Sequence, residues 1–192
     1  NRKDLIKEAE KLGWPENKIV VKPPSSNGSR GVRIIDESIN QKDMFFNEKP
    51  TSLYTNLRNL KNLLGDKFPV LILTEFLPGI EYTVDIFNNT PVIAIPRKRE
   101  HIKSGITFRA VLEQKKEIIK FSKKLTDVLN LDFCVGLQFK MDEKNVPKIL
   151  ECNPRVQGTM VLSTLAGANI IYSSVKKAMG EKIPEFDINW GT

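Results

Sequence analysis

What most constrains the fold is a succession of strand-length segments from residue 70 onward. Val70 to Glu75, Glu81 to Phe87, Val92 to Arg97 and Ile106 to Leu112 alternate in polarity or run apolar. Pro78-Gly79 and the tight turn at Asn88-Asn89 separate the first three, and such short breaks suit hairpins rather than the long crossovers that parallel strands require. Phe133 to Met141 and Lys148 to Cys152 repeat the pattern around a polar turn at Asp142 to Asn145. Upstream, Ile19-Val20-Val21 and Val32 to Ile35 read as a hairpin with a long glycine and serine tip, Ser25 to Gly31. Helices are expected over residues 3–12, stopped by Gly13 and Pro15, over 52–64, where Leu53, Leu57, Leu60 and Leu64 recur, and from about Gln114 to Leu129. The tail also reads as helical. This mixture predicts an α+β fold with mainly antiparallel sheet, not a doubly wound parallel one.

Composition narrows the function classes. With 192 residues, 40% hydrophobic and 28% charged, the chain has the makeup of a globular protein, which excludes disorder as its main state. Cys134 and Cys152 lie in apolar stretches without Cys-x-x-Cys spacing, so a zinc site is not indicated and a reducing, cytoplasmic setting is the simpler reading. No apolar run reaches the roughly 18 residues of a membrane span. The net charge of +7 suggests a polyanionic partner. The basic residues are dispersed and not interleaved with aromatics, which argues against a nucleic-acid surface. The lysines at 115, 116, 120, 123 and 124 fit a solvated helix face.

Three segments carry chemistry. In Gly136-Leu-Gln138-Phe-Lys140 and Ile149-Leu-Glu151-Cys-Asn153-Pro154-Arg155, strand alternation separates Gln138 and Lys140 from Leu137 and Phe139, and sets Glu151 and Asn153 on one side. Across one hairpin Gln138, Glu151 and Asn153 can converge as an all-oxygen set of the kind a hard cation such as magnesium takes. An ordinary strand end with a turn at Pro154 fits the same residues. Lys22 closes an apolar strand before the loop of Ser26, Gly28, Ser29 and Gly31, where an ammonium and backbone N–H groups suit phosphate, although a plain hairpin has the same composition. Neither a Walker A nor a Gly-x-Gly-x-x-Gly sequence is present. In Thr74-Glu75-Phe76-Leu77-Pro78-Gly79-Ile80-Glu81-Tyr82 a Pro-Gly break lies between two carboxylates, as in a hinge that reads an adenine edge and ribose hydroxyls, or in a simple turn.

In this order the three segments resemble the ATP-grasp superfamily, most closely the carbamoyl phosphate synthetase large-subunit type, over nearly the whole chain. The Glu-x-Asn-Pro-Arg hairpin is the most specific part of the likeness. The resemblance implies an ATP-grasp fold of two subdomains that grip Mg-ATP, here a small one over 1–75 with the phosphate loop and a large one over 76–192 with the metal and substrate side. It implies a ligase in which a carboxylate is phosphorylated and the acylphosphate is attacked by an amine or ammonia. Lys22 would hold phosphates, with Ser26, Gly28, Ser29 and Gly31 over them. Glu75, Phe76 and Leu77 would meet adenine and Glu81 the ribose. Gln138, Glu151 and Asn153 would bind magnesium, or manganese in its place, and Arg155 would stabilise the acylphosphate or the carboxylate. The partners implied are small molecules, with no nucleic acid and no membrane, and the oligomeric state, a homodimer included, stays open.

Some features depart from that pattern. The chain starts at Asn1, and an N-terminal domain of the family, with a further basic phosphate-binding residue, does not fit into the 21 residues before Lys22, so the reading is of a fragment inactive alone. Lys103 precedes Ser104-Gly105 where the synthetase often has histidine, and His101, the one histidine, reads as a surface residue. Arg97, Arg99 and Arg109 are open to substrate or to water. An inactive or regulatory nucleotide-binding module and a basic nucleic-acid binder are the alternatives to a ligase.

Overall fold

A computed structural model describes residues 1–192 except Asn27, Pro50, Thr51, Ser104 and Thr192. Of the expected features, Asn27 in the glycine and serine loop and Ser104 in the Lys103-Ser104-Gly105 stretch therefore lie outside the described residues. The chain divides into two compact units, Asn1–Phe76 and Leu77–Thr192.

The first unit is a four-stranded sheet in the order β3-β2-β1-β4, formed by β1 (Ile19–Lys22), β2 (Arg33–Ile35), β3 (Tyr54–Thr55) and β4 (Ile72–Glu75). β1 pairs antiparallel with β2 and β4, while β2 and β3 are parallel. One face buries Ile19, Val21 and Ile35 against Leu5 and Ala9 of α1 (Arg2–Lys11) and Leu57 and Leu60 of α3 (Leu57–Leu64). The helix expected over 52–64 starts later, because the Asn56 side chain caps it by accepting from the Asn59 amide at 2.8 Å, and Tyr54 and Thr55 are drawn into pairing with β2. A further helix, α2 (Gln41–Asn47), has no buried residue and hence no apolar stripe to announce it.

Just past the end of β2, Asp36 is buried and accepts from the Ser38 hydroxyl at 2.6 Å and amide at 2.9 Å, with the Lys18 ammonium 2.9 Å away. Burial alone would raise its pKa, but Ser38 and Lys18 outweigh burial and hold the carboxyl below its ordinary value. The carboxylate's contribution to stability is thus complete above the unfolded value of about 4 and is lost as pH falls through the lower folded value. In chemical denaturation, the stability gap between Asp36→Asn and the parent should narrow as pH drops from about 6 to about 3. A gap constant with pH would mean that the charge of Asp36 contributes nothing.

The second unit is an antiparallel sheet in the order β7-β6-β5-β8-β9, made of β5 (Glu81–Phe87), β6 (Ile93–Lys103), β7 (Ile106–Leu112), β8 (Cys134–Met141) and β9 (Pro147–Asn153). One face carries an apolar cluster: Tyr82, Val84, Ile86, Leu137, Phe139 and Met141 pack with Ile118 of α4 (Lys116–Val128). The other face changes along its length. Phe87 and Ile95 pack under α5 (Val161–Leu165) and α6 (Ile170–Ala178) with Met160 and Ile170, after which the same face turns polar toward the far end of the strands. Among the described residues the tail is helical in these two segments, and residues 181–191 are not helical. No helix among the described residues is long and apolar enough to cross a membrane.

Candidate functional site

In the first unit Lys22 ends β1 opposite Ile72 of β4, on the face away from the core that holds Val21 and Ile19. The loop that follows is shaped by left-handed backbone at Gly28 (φ 57°), Ser29 (φ 57°) and Gly31 (φ 73°). Gly31 also lies against Pro23, where a Cβ would come within 2.7 Å of the ring, so a larger residue is blocked by both conformation and space. Ser26 and Gly28 are exposed and Ser29 is half-buried. Glu75 ends β4 with an exposed side chain, and the Phe76 ring lies 5.8 Å from the Lys18 ammonium.

The remaining residues belong to the second unit. Leu77 is buried, and Gly79 donates its amide to the Met141 carbonyl at 3.0 Å, so close that a Cβ on Gly79 would stand 2.6 Å from that oxygen. This contact anchors the Pro-Gly segment to the end of β8 and delivers Glu81 to the first position of β5, opposite Lys140. Glu81 is held by Arg99, and beside the pair is a cavity of about 410 Å³ lined by Gly79, Ile80, Glu81, Lys98, Arg99 and Lys140 among others.

Gln138, Glu151 and Asn153 share the polar face, but not through a regular hairpin. Asp142 closes the turn by accepting from the amides of Lys144 (2.9 Å) and Val146 (2.8 Å), which pairs Met141 with Pro147 and Phe139 with Ile149. Regular pairing from there would set Leu150 opposite Gln138 and turn Glu151 toward the α4 side. A β-bulge intervenes: the register shifts between Gln138 and Phe139, so that Gln138 faces Glu151 and Gly136 faces Asn153. The Asn153 amide nitrogen donates to Glu151 Oε1 at 2.7 Å. That bond uses neither Glu151 Oε2 nor Asn153 Oδ1, and Gln138 stands opposite Glu151 in the ladder. The donor set therefore fits a hard divalent cation, yet it carries a single negative charge. Among the described residues no group of three or more His, Cys, Asp and Glu side chains gathers to hold a metal. An ion here would need phosphate oxygens to complete its shell. Arg155 lies beyond β9, exposed, with its guanidinium donating to the Val156 carbonyl at 3.0 Å, and is not drawn into the trio.

Behind the trio is a buried ionic network. Asp85 of β5 is fully buried and pairs with Arg97 of β6, 1% exposed, through Nε–Oδ2 and Nη2–Oδ1 contacts of 2.8 Å each. Ser163 donates to Asp85 at 2.5 Å, and Arg97 donates to Thr159 at 2.6 Å, which ties the segment after β9 to the sheet. Gln157 lies over Gly136, where a Cβ would fall 1.5 Å from its amide nitrogen. Arg97 and Arg99 are not surface residues: each is buried against a carboxylate of β5, and Arg99 also lines the cavity. The signal was available in β5 itself: Glu81, Thr83 and Asp85 alternate with Tyr82, Val84 and Ile86, and a carboxylate in a strand buried on both faces requires a cation. Arg109 is 77% exposed and pairs with Glu100 at 3.0 Å. His101 is exposed, edge-on to Phe108.

Comparison with known proteins places this geometry. The large chain of carbamoyl phosphate synthase from Caldanaerobacter subterraneus is 30% identical over 135 residues, 64% of this chain and 12% of its own length. The corresponding chain of Clostridium botulinum, strain Loch Maree, is 26% identical over 200 residues, 98% of this chain and 17% of its own. The chain thus spans less than a fifth of these relatives. Among solved structures, an ADP complex of N5-carboxyaminoimidazole ribonucleotide synthetase superposes with a TM-score of 0.70 at 14% identity, over 98% of this chain and 47% of that one. A biotin carboxylase–β-γ-ATP complex from Campylobacter jejuni gives 0.67 at 16% identity, over 94% of this chain and 41% of that one. The architecture of two sheets rich in antiparallel pairs is therefore the ATP-grasp fold. Residues 67–190 match the family described as "ATP-grasp in the biosynthetic pathway with Ter operon", and by that match the chain belongs to this ATP-grasp family, with likeness to the carbamoyl phosphate synthase large chain.

Proposed function

We propose that the chain is the ATP-binding part of a carboxylate–amine ligase, which transfers the γ-phosphoryl group of Mg-ATP to a carboxylate, releasing ADP, and lets an amine or ammonia attack the acylphosphate so that the C–N bond forms as inorganic phosphate leaves. The observation that carries this reading is the bulged hairpin, which sets Gln138, Glu151 and Asn153 on the face of the sheet that also holds Glu81. Each residue has a separable task. Lys22 and the backbone of the Ser26, Gly28, Ser29 and Gly31 loop meet the phosphates. Glu75, Phe76 and Leu77 present backbone groups to adenine, and Glu81 accepts from the ribose. The side-chain oxygens of Glu151 and Asn153, with Gln138, hold magnesium, or manganese, which when bound with the nucleotide neutralises phosphate charge. Arg155, long and exposed, swings to the transferred group and offsets its developing charge. In this division the small subdomain with its phosphate loop corresponds to residues 1–75 and the metal and substrate side to 76–192.

Hydroxylamine traps an acylphosphate as a stable hydroxamate. Incubation with Mg-ATP, hydroxylamine and a panel of carboxylates should give hydroxamate and ADP in equal amounts for at least one acid. ADP release without hydroxamate across the panel would leave an ATPase, and magnesium-dependent nucleotide binding with no turnover would leave a regulatory module. Lys22→Met keeps the aliphatic stem and deletes the ammonium. Calorimetry should show affinity for ATP reduced by about tenfold or more, the scale of one charge-assisted contact, with little change for adenosine. Equal losses for both ligands would make Lys22 structural.

A further inference from the structure

The Arg99 guanidinium is 5% exposed on its side chain, and all three nitrogens are engaged. Nε donates to Thr107 Oγ1 at 2.6 Å, Nη2 to the Gly105 carbonyl at 2.7 Å, and Nη1 to Glu81 Oε1. Two of these acceptors are neutral groups at the start of β7. They fix the plane of the guanidinium, so the third donor is a stationary point against which Glu81 is held. Glu81 Oε1 is thereby occupied. Oε2 has no hydrogen bond among the described residues, and the side chain, 18% exposed, lies beside the cavity of about 410 Å³.

From this geometry we propose that Arg99 is a positioning residue for nucleotide recognition: by fixing one oxygen of Glu81 it aims the other at a ribose hydroxyl, and so sets the preference for ribose over deoxyribose. The proposal rests on the reading of Glu81 as the ribose acceptor. The physical reason is orientation. A glutamate at a strand end has several rotamers open to it, and a fixed partner removes that freedom. An acceptor locked before the ligand arrives loses less entropy on binding than one that must be ordered. The lock also connects the nucleotide contact to the turn at Gly105.

The test is calorimetric titration of the chain, with magnesium, by ATP and by 2′,3′-dideoxy-ATP. The ratio of the two affinities is read on one folded protein, so a variant that is only less stable leaves it unchanged. The parent should prefer ATP by about tenfold or more, the scale of a hydrogen bond to a charged acceptor. Arg99→Met should bring the ratio to within about twofold, and Arg99→Lys, which keeps charge but not the fork, should fall between. Thr107→Val, which frees Nε alone, should lose part of the ratio, and with Arg99→Lys it carries the test if Arg99→Met does not fold. A parental ratio in the Arg99 and Thr107 variants, while Glu81→Ala abolishes it, overturns the proposal and leaves the ribose reading standing. An equal fall in both affinities makes Arg99 a general electrostatic contact and also overturns it. A parent with no preference, or Glu81→Ala with full preference, overturns the ribose reading and the proposal together.

Discussion

Exchanging Glu151 for glutamine should remove magnesium-dependent nucleotide binding while the nucleotide-free protein melts almost where the parent does. The side chain is exposed and accepts from the Asn153 amide nitrogen, a role that an amide oxygen keeps, so little folding energy is at risk. What disappears is the single negative charge in a trio otherwise made of amides. Loss of a residue that merely orients a metal ligand costs about 10–100-fold in metal affinity, and loss of the charged ligand should cost about a hundredfold or more. Titration with ADP in the presence of magnesium and then of chelator separates the two effects: the variant and the parent should differ in the first and agree in the second. Equal Mg-ADP affinities would take Glu151 out of the metal role.

Asp85→Asn should act in the opposite way, on the fold. The amide preserves shape and one acceptor but leaves the Arg97 charge, 1% exposed, without its counter-ion. Breaking a buried pair from one side costs about 3–5 kcal/mol, a large share of the stability of an ordinary domain. Guanidinium denaturation would show it as a lower midpoint with the slope retained. Combining Asp85→Leu with Arg97→Met removes both charges, and the pair should cost less than the two single changes added together, because neither ion is then stranded. Additive costs would mean that the two side chains do not depend on each other.

The two experiments probe parts of one sheet face that the sequence reveals unequally. Alternation in β5 and β8, the Asp142 turn and the Glu-x-Asn-Pro-Arg segment are local, and each can be read from neighbours along the chain. The partner of Asp85 is 12 residues away and that of Ser163 is 78, and such pairings are set by sheet order, which no local pattern encodes. Helical spacing of leucines misled at residues 52–55, where Leu53 falls in phase with Leu57 by composition while long-range pairing to β2 takes the backbone. In α2 the reverse holds: a helix with nothing buried offers no periodicity to find. The bulge in β9 is the instructive case. The expected convergence of Gln138, Glu151 and Asn153 occurs, but by a route the turn length alone would have excluded.

That extra step at Leu150 has a bearing on which lengths of this hairpin are permissible. Pairing from Met141 to Phe139 and pairing from Gln138 to Gly136 belong to two frames offset by one residue, and Leu150 is the spacer between them. A shorter chain with the spacer deleted would bring the frames into phase and keep Glu151 across from Gln138. A chain of the same length that straightened its ladder would instead rotate the carboxylate into the apolar layer under α4. The hairpin is therefore tolerant to loss of one residue and intolerant to regularity, so related hairpins are best compared by the facing of this carboxylate rather than by counting residues to it.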